Sequence, residues 1–209
     1  MRLASRFKSG NYQIIMPKFA SVKILLKGYF KWVGPNTCKA SSTVTLVQDG
    51  KVNIIVDTGT KNNQAKLASA LKKQGLKTGD IDYVIISHSH TDHLENLSFF
   101  TKAQSLNIFE IKKGDVFKIS DDLLRKGERQ LTPNVKLLAT PGHTPECLTV
   151  LVSTAKGLIA IAGDLFVKKQ EEKGVFVGDQ KLFAQSRQQI IKIADYIIPG
   201  HAGIFKVNK

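Results

Sequence analysis

Ser87-His88-Ser89-His90-Thr91-Asp92-His93-Leu94 follows directly on the apolar run Tyr83-Val84-Ile85-Ile86. Such a run reads as a buried strand, so three imidazoles and a carboxylate stand together at a strand's end. In an extended chain successive side chains alternate faces, which sends His88 and His90 to the same side, where both reach one metal ion. Leu94, Leu97 and Phe100 recur at helical spacing. A turn into helix near Thr91 therefore swings Asp92 and His93 toward a second position a few ångströms away. One short stretch can serve two metals.

The chain has five histidines, and the two outside this stretch stand in turns, Thr140-Pro141-Gly142-His143-Thr144-Pro145 and Ile198-Pro199-Gly200-His201. Each turn follows a strand-like run, Val135-Lys136-Leu137-Leu138-Ala139 and Tyr196-Ile197-Ile198. Between them Ile159-Ala160-Ile161-Ala162 runs into Gly163-Asp164, and upstream Val52-Asn53-Ile54-Ile55-Val56 ends on Asp57. A carboxylate at the end of an apolar strand is costly unless it is hydrogen-bonded or close to cations.

The other elements are read outward from there. Residues 22–30 and 43–47 are expected as strands separated by the turn-rich Gly34-Pro35-Asn36-Thr37, and Asp49-Gly50 signals a hairpin. Residues 64–74 form a helix, with Ala65, Ala68 and Leu71 on one face and Gly75 as its stop. Residues 105–111, 115–120, 135–139, 148–152 and 158–162 are strands, 131–133 is a connection, and Ser186 caps a helix over 187–194. Strand, helix, strand with a ligand loop at the carboxyl end is a layered α/β arrangement.

A chain of 209 residues with 42% hydrophobic content can bury one sizeable core, and it contains no apolar run long enough to span a membrane. Cys38 and Cys147 lack metal or redox spacing and read as packing residues of a reducing compartment, with a cytoplasmic location expected and organellar or nuclear targeting left open. The formal charge of +14 points to a polyanionic or otherwise anionic partner. Residues 1–48 carry eight Lys or Arg and no acid. Residues 1–18 are expected as a basic tail.

Asp57 in Val56-Asp57-Thr58-Gly59, the HxHxDH motif at 88–93, His143, Asp164 and His201, in that order, resemble the metallo-β-lactamase-fold hydrolases over nearly the whole chain. The resemblance implies an α/β fold, a four-layer αββα sandwich of two mixed sheets face to face with helices outside, as a single domain over 19–209. It implies that His88, His90 and His143 hold one zinc and Asp92, His93 and His201 another, with Asp164 bridging. Asp57 would orient the ligand loop from behind, and Asp92 would aim a metal-bridged hydroxide as the catalytic carboxylate. Two Zn2+ suit these nitrogen and oxygen donors. Iron or manganese accept the same donors, so a single-iron sulfur dioxygenase stays open.

A narrower likeness, to a branch of that family associated with RNA endonuclease activity, rests on Leu25-Leu26-Lys27-Gly28-Tyr29, Ser89 through Leu97, and Gln185-Ser186-Arg187 through Ala194 to His201. Thirty-six residues separate Asp164 from His201 and 20 separate His143 from Asp164, too few for the large nucleic-acid-binding insertions of some relatives. The expected activity is a metal-dependent ribonuclease or phosphodiesterase acting on RNA or another anionic substrate. The alternative is a small-molecule hydrolase of a β-lactam, lactone or thioester. All five histidines are committed to metal, so Lys168, Lys169 or a metal-bound water is left to stabilise the departing alkoxide. Residues 166–181 are read as a lysine-rich lid or a plain loop. Dimers are common among such folds, although no interface stripe stands out.

Overall fold

The computed structural model describes residues 19–170 and 177–208. The tail expected over 1–18 and the middle of the segment read as a lid lie outside the described residues.

The first half pairs β1 (Ser21–Leu26) with β4 (Val44–Asp49), then β5 (Val52–Val56), β6 (Tyr83–Ile85), β7 (Gln104–Leu106), β8 (Glu110–Lys113) and β9 (Val116–Ile119), in that spatial order. β2 (Tyr29–Gly34) and β3 (Thr37–Ser41) form a hairpin of their own. The second half is a six-stranded sheet of β10 (Glu128–Thr132), β11 (Val135–Ala139), β12 (Leu148–Thr154), β13 (Gly157–Ile161), β14 (Tyr196–Ile198) and β15 (Phe205–Lys206). Both sheets are mixed: β5, β6 and β7 run parallel, as do β13 and β14.

Alternation along the strands builds the layers. Val47, Ile54, Val56 and Ile85 of one sheet meet Leu137, Val150, Ile161 and Ile198 of the other in a central core. The alternate residues face outward. Leu46, Ile55 and Val84 pack under Leu67 and Leu71 of α1 (Gln64–Lys72), while Leu151, Ala160 and Ile197 pack under Ile190 of α4 (Gln180–Ile193). Strands buried on both faces read as continuous apolar runs, as these do. Two short helices complete the set, α2 (Thr91–Leu94) and α3 (Asp121–Lys126). No helix among the described residues is long and apolar enough to cross a membrane.

Four expectations need correction. The strand expected over 22–30 is two, because the chain breaks at Gly28, where a Cβ would lie 2.5 Å from the Thr43 nitrogen and 2.7 Å from the Gly200 oxygen. Gly34-Pro35-Asn36-Thr37 is therefore the end of the β2–β3 hairpin, with Asn36 at φ 49°. The strand expected over 105–111 reverses on Asn107, whose Oδ1 accepts the amides of Phe109 and Glu110 at 2.8 and 3.0 Å. The last helix begins two turns earlier than expected: Asp179 Oδ1 accepts the Leu182 amide at 2.9 Å, while Ser186 donates its hydroxyl to the Pro141 carbonyl at 2.7 Å. The connection expected at 131–133 lies largely within β10, and α3 before it went unforeseen.

Candidate metal centre

β1 and β5 both run antiparallel to β4, so β1, β5 and β6 end together at one rim of the sandwich. Asp57 follows β5, His88 follows β6, His143 follows β11, Asp164 follows β13 and His201 follows β14. Loops beyond the carboxyl ends of parallel strands are where open α/β sheets collect ligands.

Asp57 sits at φ 55°, a left-handed backbone that costs a non-glycine residue on the order of 1–2 kcal/mol. Its carboxylate is fully engaged. Oδ1 accepts the Ser87 amide at 2.8 Å, and Oδ2 accepts the Ser87 hydroxyl at 2.9 Å and the His93 Nδ1 proton at 2.8 Å. With Nδ1 protonated, the Nε2 lone pair of His93 points into the site. His201 is oriented the same way, its Nδ1 donating to the carbonyls of Tyr29 at 3.0 Å and Ser41 at 3.1 Å. The β2–β3 hairpin and the last histidine loop are thus joined.

Two groups of donors result. His88 Nε2 and His143 Nε2 each approach His90 Nδ1, at 3.0 and 3.1 Å, and Asp164 Oδ2 lies 3.5 Å from His143 Nε2. On the other side Asp164 Oδ1 lies 3.3 Å from His93 Nε2 and 3.1 Å from His201 Nε2, and Asp92 Oδ2 lies 3.7 Å from His201 Nε2. Within each group, His88, His90, His143 and Asp164 or Asp92, His93 and His201, the ligand-type atoms all lie within 4.8 Å of one another. Asp164 lies between the two groups: Oδ1 faces His93 and His201, and Oδ2 faces His143 while also standing 3.2 Å from His201 Nε2.

The fit to cations is tested by what is left unsatisfied. Asp92 Oδ2, His93 Nε2 and Asp164 Oδ1 are buried without a hydrogen-bond partner and converge on the same space. Buried polar atoms in that condition are expensive, and a cation between them removes the cost. The electrostatics agree. Burial opposes a charge on Asp164, but His93 and His201 hold its carboxyl well below the usual range. Burial likewise opposes a charge on His93, yet Asp57 and Asp164 lift its pKa well above the ordinary value; Asp164 raises His201 in the same sense. His88 goes the other way, lowered by burial and by the neighbouring His93.

The structure brings all seven ligand candidates and Asp57 to one place. Sequence reasoning missed Glu146, whose Oε1 accepts the Ser89 hydroxyl at 2.6 Å and the Ser89 amide at 3.3 Å. Ser89 lies between His88 and His90, and Glu146 three residues past His143, so this pair ties together the loops that carry those histidines. An isolated acid in the turn over 140–147 was the available signal. Cys147 is buried against Thr144 and its thiol is pushed up to about 11 by burial, in keeping with a packing role.

Comparison with known proteins supplies the family. The model described as Metallo-beta-lactamase superfamily matches residues 40–201. A curated relative from Xenopus laevis, named metallo-beta-lactamase domain-containing protein 1, is 35% identical over 195 residues, covering 90% of this chain and 82% of that one. The N-acyl homoserine lactonase of Bacillus cereus is 26% identical over 156 residues, 65% of this chain and 62% of that one. Among solved structures, a candidate metallo-beta-lactamase of Thermotoga maritima superposes with a TM-score of 0.68 at 23% identity, over 90% of this chain and 99% of that one.

Proposed function

The chain belongs to the metallo-beta-lactamase superfamily and is a metal-dependent hydrolase, and from that premise we propose that it cleaves phosphodiester bonds in RNA or related single-stranded nucleic acid. One observation carries the substrate class. The rim beside His201 is basic and aromatic rather than an enclosing apolar pocket. Exposed Tyr29 and Trp32 stand on the β2–β3 hairpin among exposed Lys27, Lys31 and Lys39, and Phe30 meets the His201 ring edge-on at 5.8 Å. Stacking surfaces interleaved with lysines are what a single strand needs, since every base has a face and every nucleotide a phosphate.

His88, His90 and His143 would hold one divalent cation and Asp92, His93 and His201 a second, with Asp164 standing between them, and zinc is the ion that suits these donors. Bound there, the pair would supply Lewis acidity and a water acidified toward neutral pH. Asp92 would orient the attacking water by accepting its hydrogen bond. Asp57 keeps His93 in the required tautomer, and Asp164 holds the two donor groups in register. The leaving oxygen takes its proton from outside the histidines, and we assign that role to Lys168, next to Val167, whose carbonyl accepts the His201 amide at 3.0 Å.

A second reading rests on a different feature. Beside His88 is a recess of about 120 Å³ walled by Ile86, Leu94, Leu97 and Phe109, wide enough for part of an acyl chain. With the lactonase relative, it supports an acyl or lactone hydrolase. One experiment separates the readings: zinc content and turnover measured on the same purified sample, with an oligoribonucleotide, a lactone series and a chromogenic cephalosporin as substrates. Chelator-sensitive RNA cleavage with two zinc ions per chain is the expected result. Lactone turnover with no RNA cleavage would overturn the nucleic-acid assignment, and a single iron would overturn the two-zinc one.

A further inference from the structure

Away from the metal rim, β1 and the exposed side of α1 flank an open groove of about 370 Å³ lined by Lys23, Lys66 and Lys73 together with the apolar Ile24, Leu25 and Leu26 of β1. No acidic residue among the described residues lines it. None of the three lysines is in an ion pair among the described residues. Their placement follows from the packing. Leu67 and Leu71 bury the inner stripe of α1, which turns Lys66, Ser69, Ala70 and Lys73, spaced i, i+3, i+4 and i+7, outward as a single row. Val22 and Ile24 of β1 pack on the central core, so Lys23 between them faces the helix.

The groove leads to the metal centre. β1 ends at the metal rim, and four residues beyond Lys23, about 13 Å along an extended chain, comes Lys27. The Lys27 stem lies against Gly203, its Cδ 3.7 Å from where a Cβ on that glycine would be, two residues past His201. Lys73, Lys66, Lys23 and Lys27 thus form a cationic track that runs up the side of the sandwich and opens at the mouth of the site.

We propose that this β1–α1 groove is a phosphate-backbone exosite, holding the part of an RNA strand that lies outside the metal centre while the scissile bond lies within it. The inference rests on the nucleic-acid reading and deepens it. It accounts for the placement of lysines that pair with no acid among the described residues and do not approach the metal donors. A phosphate chain is the occupant that a concave row of unpaired lysines fits, because each contact releases counterions and adds affinity without reading sequence.

The test uses the full chain and a set of oligoribonucleotides of increasing length. Cleavage is measured with the wild type, with the triple variant K23E/K66E/K73E, with its alanine counterpart, and with a control reversal at Lys112, Lys113 and Lys118 on β8 and β9. Binding is measured in parallel in an Asp92→Ala background. Thermal melting confirms that each variant is folded, and the alanine triple keeps the test valid if charge reversal unfolds the chain. In the wild type KM should fall with RNA length. In the groove variants that dependence should shrink by about 10-fold or more, and the slope of log binding against log salt should drop by about 2, at ~0.7 per phosphate contact. The control should leave both close to wild type. Length dependence and salt slope unchanged in the groove variants would overturn the exosite while leaving RNA cleavage standing. Binding that depends on these lysines with no cleavage by the wild type would do the reverse. Capture by phosphatidylserine vesicles but not by RNA would overturn both in favour of a membrane surface.

Discussion

Asp57 carries an unfavourable backbone conformation for the sake of three hydrogen bonds, two to Ser87 and one to His93. Removing the carboxylate should leave the strain and lose the tautomer control. Asp57→Ala is expected to weaken metal at the Asp92, His93 and His201 group by roughly 10- to 100-fold, read by competition with a chromophoric chelator, while the other group is less affected. Glu146 should show the opposite preference. With Glu146→Ala the Ser89 staple is gone, and affinity at the His88, His90 and His143 group is expected to fall by about 10-fold. Glu146→Gln keeps an oxygen for the Ser89 hydroxyl and should recover most of that loss. Equal effects of both alanine variants on both groups would show that neither residue acts locally.

Among the elements, the β2–β3 hairpin has the most to do with substrate and the least to do with the core. It belongs to neither large sheet, and it is anchored where the Tyr29 and Ser41 carbonyls accept the His201 ring. Trp32 packs edge-on against Phe30 at 5.2 Å yet remains substantially exposed. If a base stacks there, Trp32→Ala should cost about 1–3 kcal/mol of binding, seen as a rise in KM for RNA with kcat nearly constant. An unchanged KM would remove the hairpin from the substrate path. The hairpin's legibility was also poor: Lys31-Trp32-Val33 has the composition of a strand, but the strand-like pattern on both sides of Gly28, Val22 to Leu26 and Tyr29 to Phe30, hid the break that Gly28 imposes.

At the scale of the whole molecule, the two sheets are joined at both ends of the sandwich. The donors clustered around Asp164 make the join at the metal rim. At the far end, buried Asp49 at the close of β4 accepts hydrogen bonds from the Thr132 hydroxyl at 2.6 Å, the Asn134 amide at 3.0 Å and the Asn134 side chain at 2.9 Å, from the end of β10 and the turn that joins it to β11. Asp49→Ala should destabilise the fold by about 3 kcal/mol, or roughly 6 to 12 °C in Tm, with little change in metal content. Burial works against ionisation of Asp49, but the bonds from Asn134 and Thr132 hold its pKa below the ordinary 3.8. The folded value is therefore the depressed one. Its contribution is fully present above about pH 3.8 and is lost as pH falls through the folded pKa, so acid unfolding followed by circular dichroism should begin at higher pH in Asp49→Asn than in the wild type.

Periodicity along the chain was enough to place the apolar strands that line both faces of each sheet, helix α1, and the strand ends that carry histidine or aspartate. Those are properties of residues within a turn or two of one another, and alternation or helical spacing expresses them directly. Convergence is different in kind. That Asp164 turns one oxygen toward His143 and the other toward His93, that Glu146 reaches Ser89, and that Lys23 faces Lys66 across a groove all depend on strand pairing between residues tens of positions apart. Local pattern contains no information about which surfaces such pairing brings face to face. Only the tertiary structure decided those contacts, because side chains from separate loops share one site only after both sheets have closed on a common core.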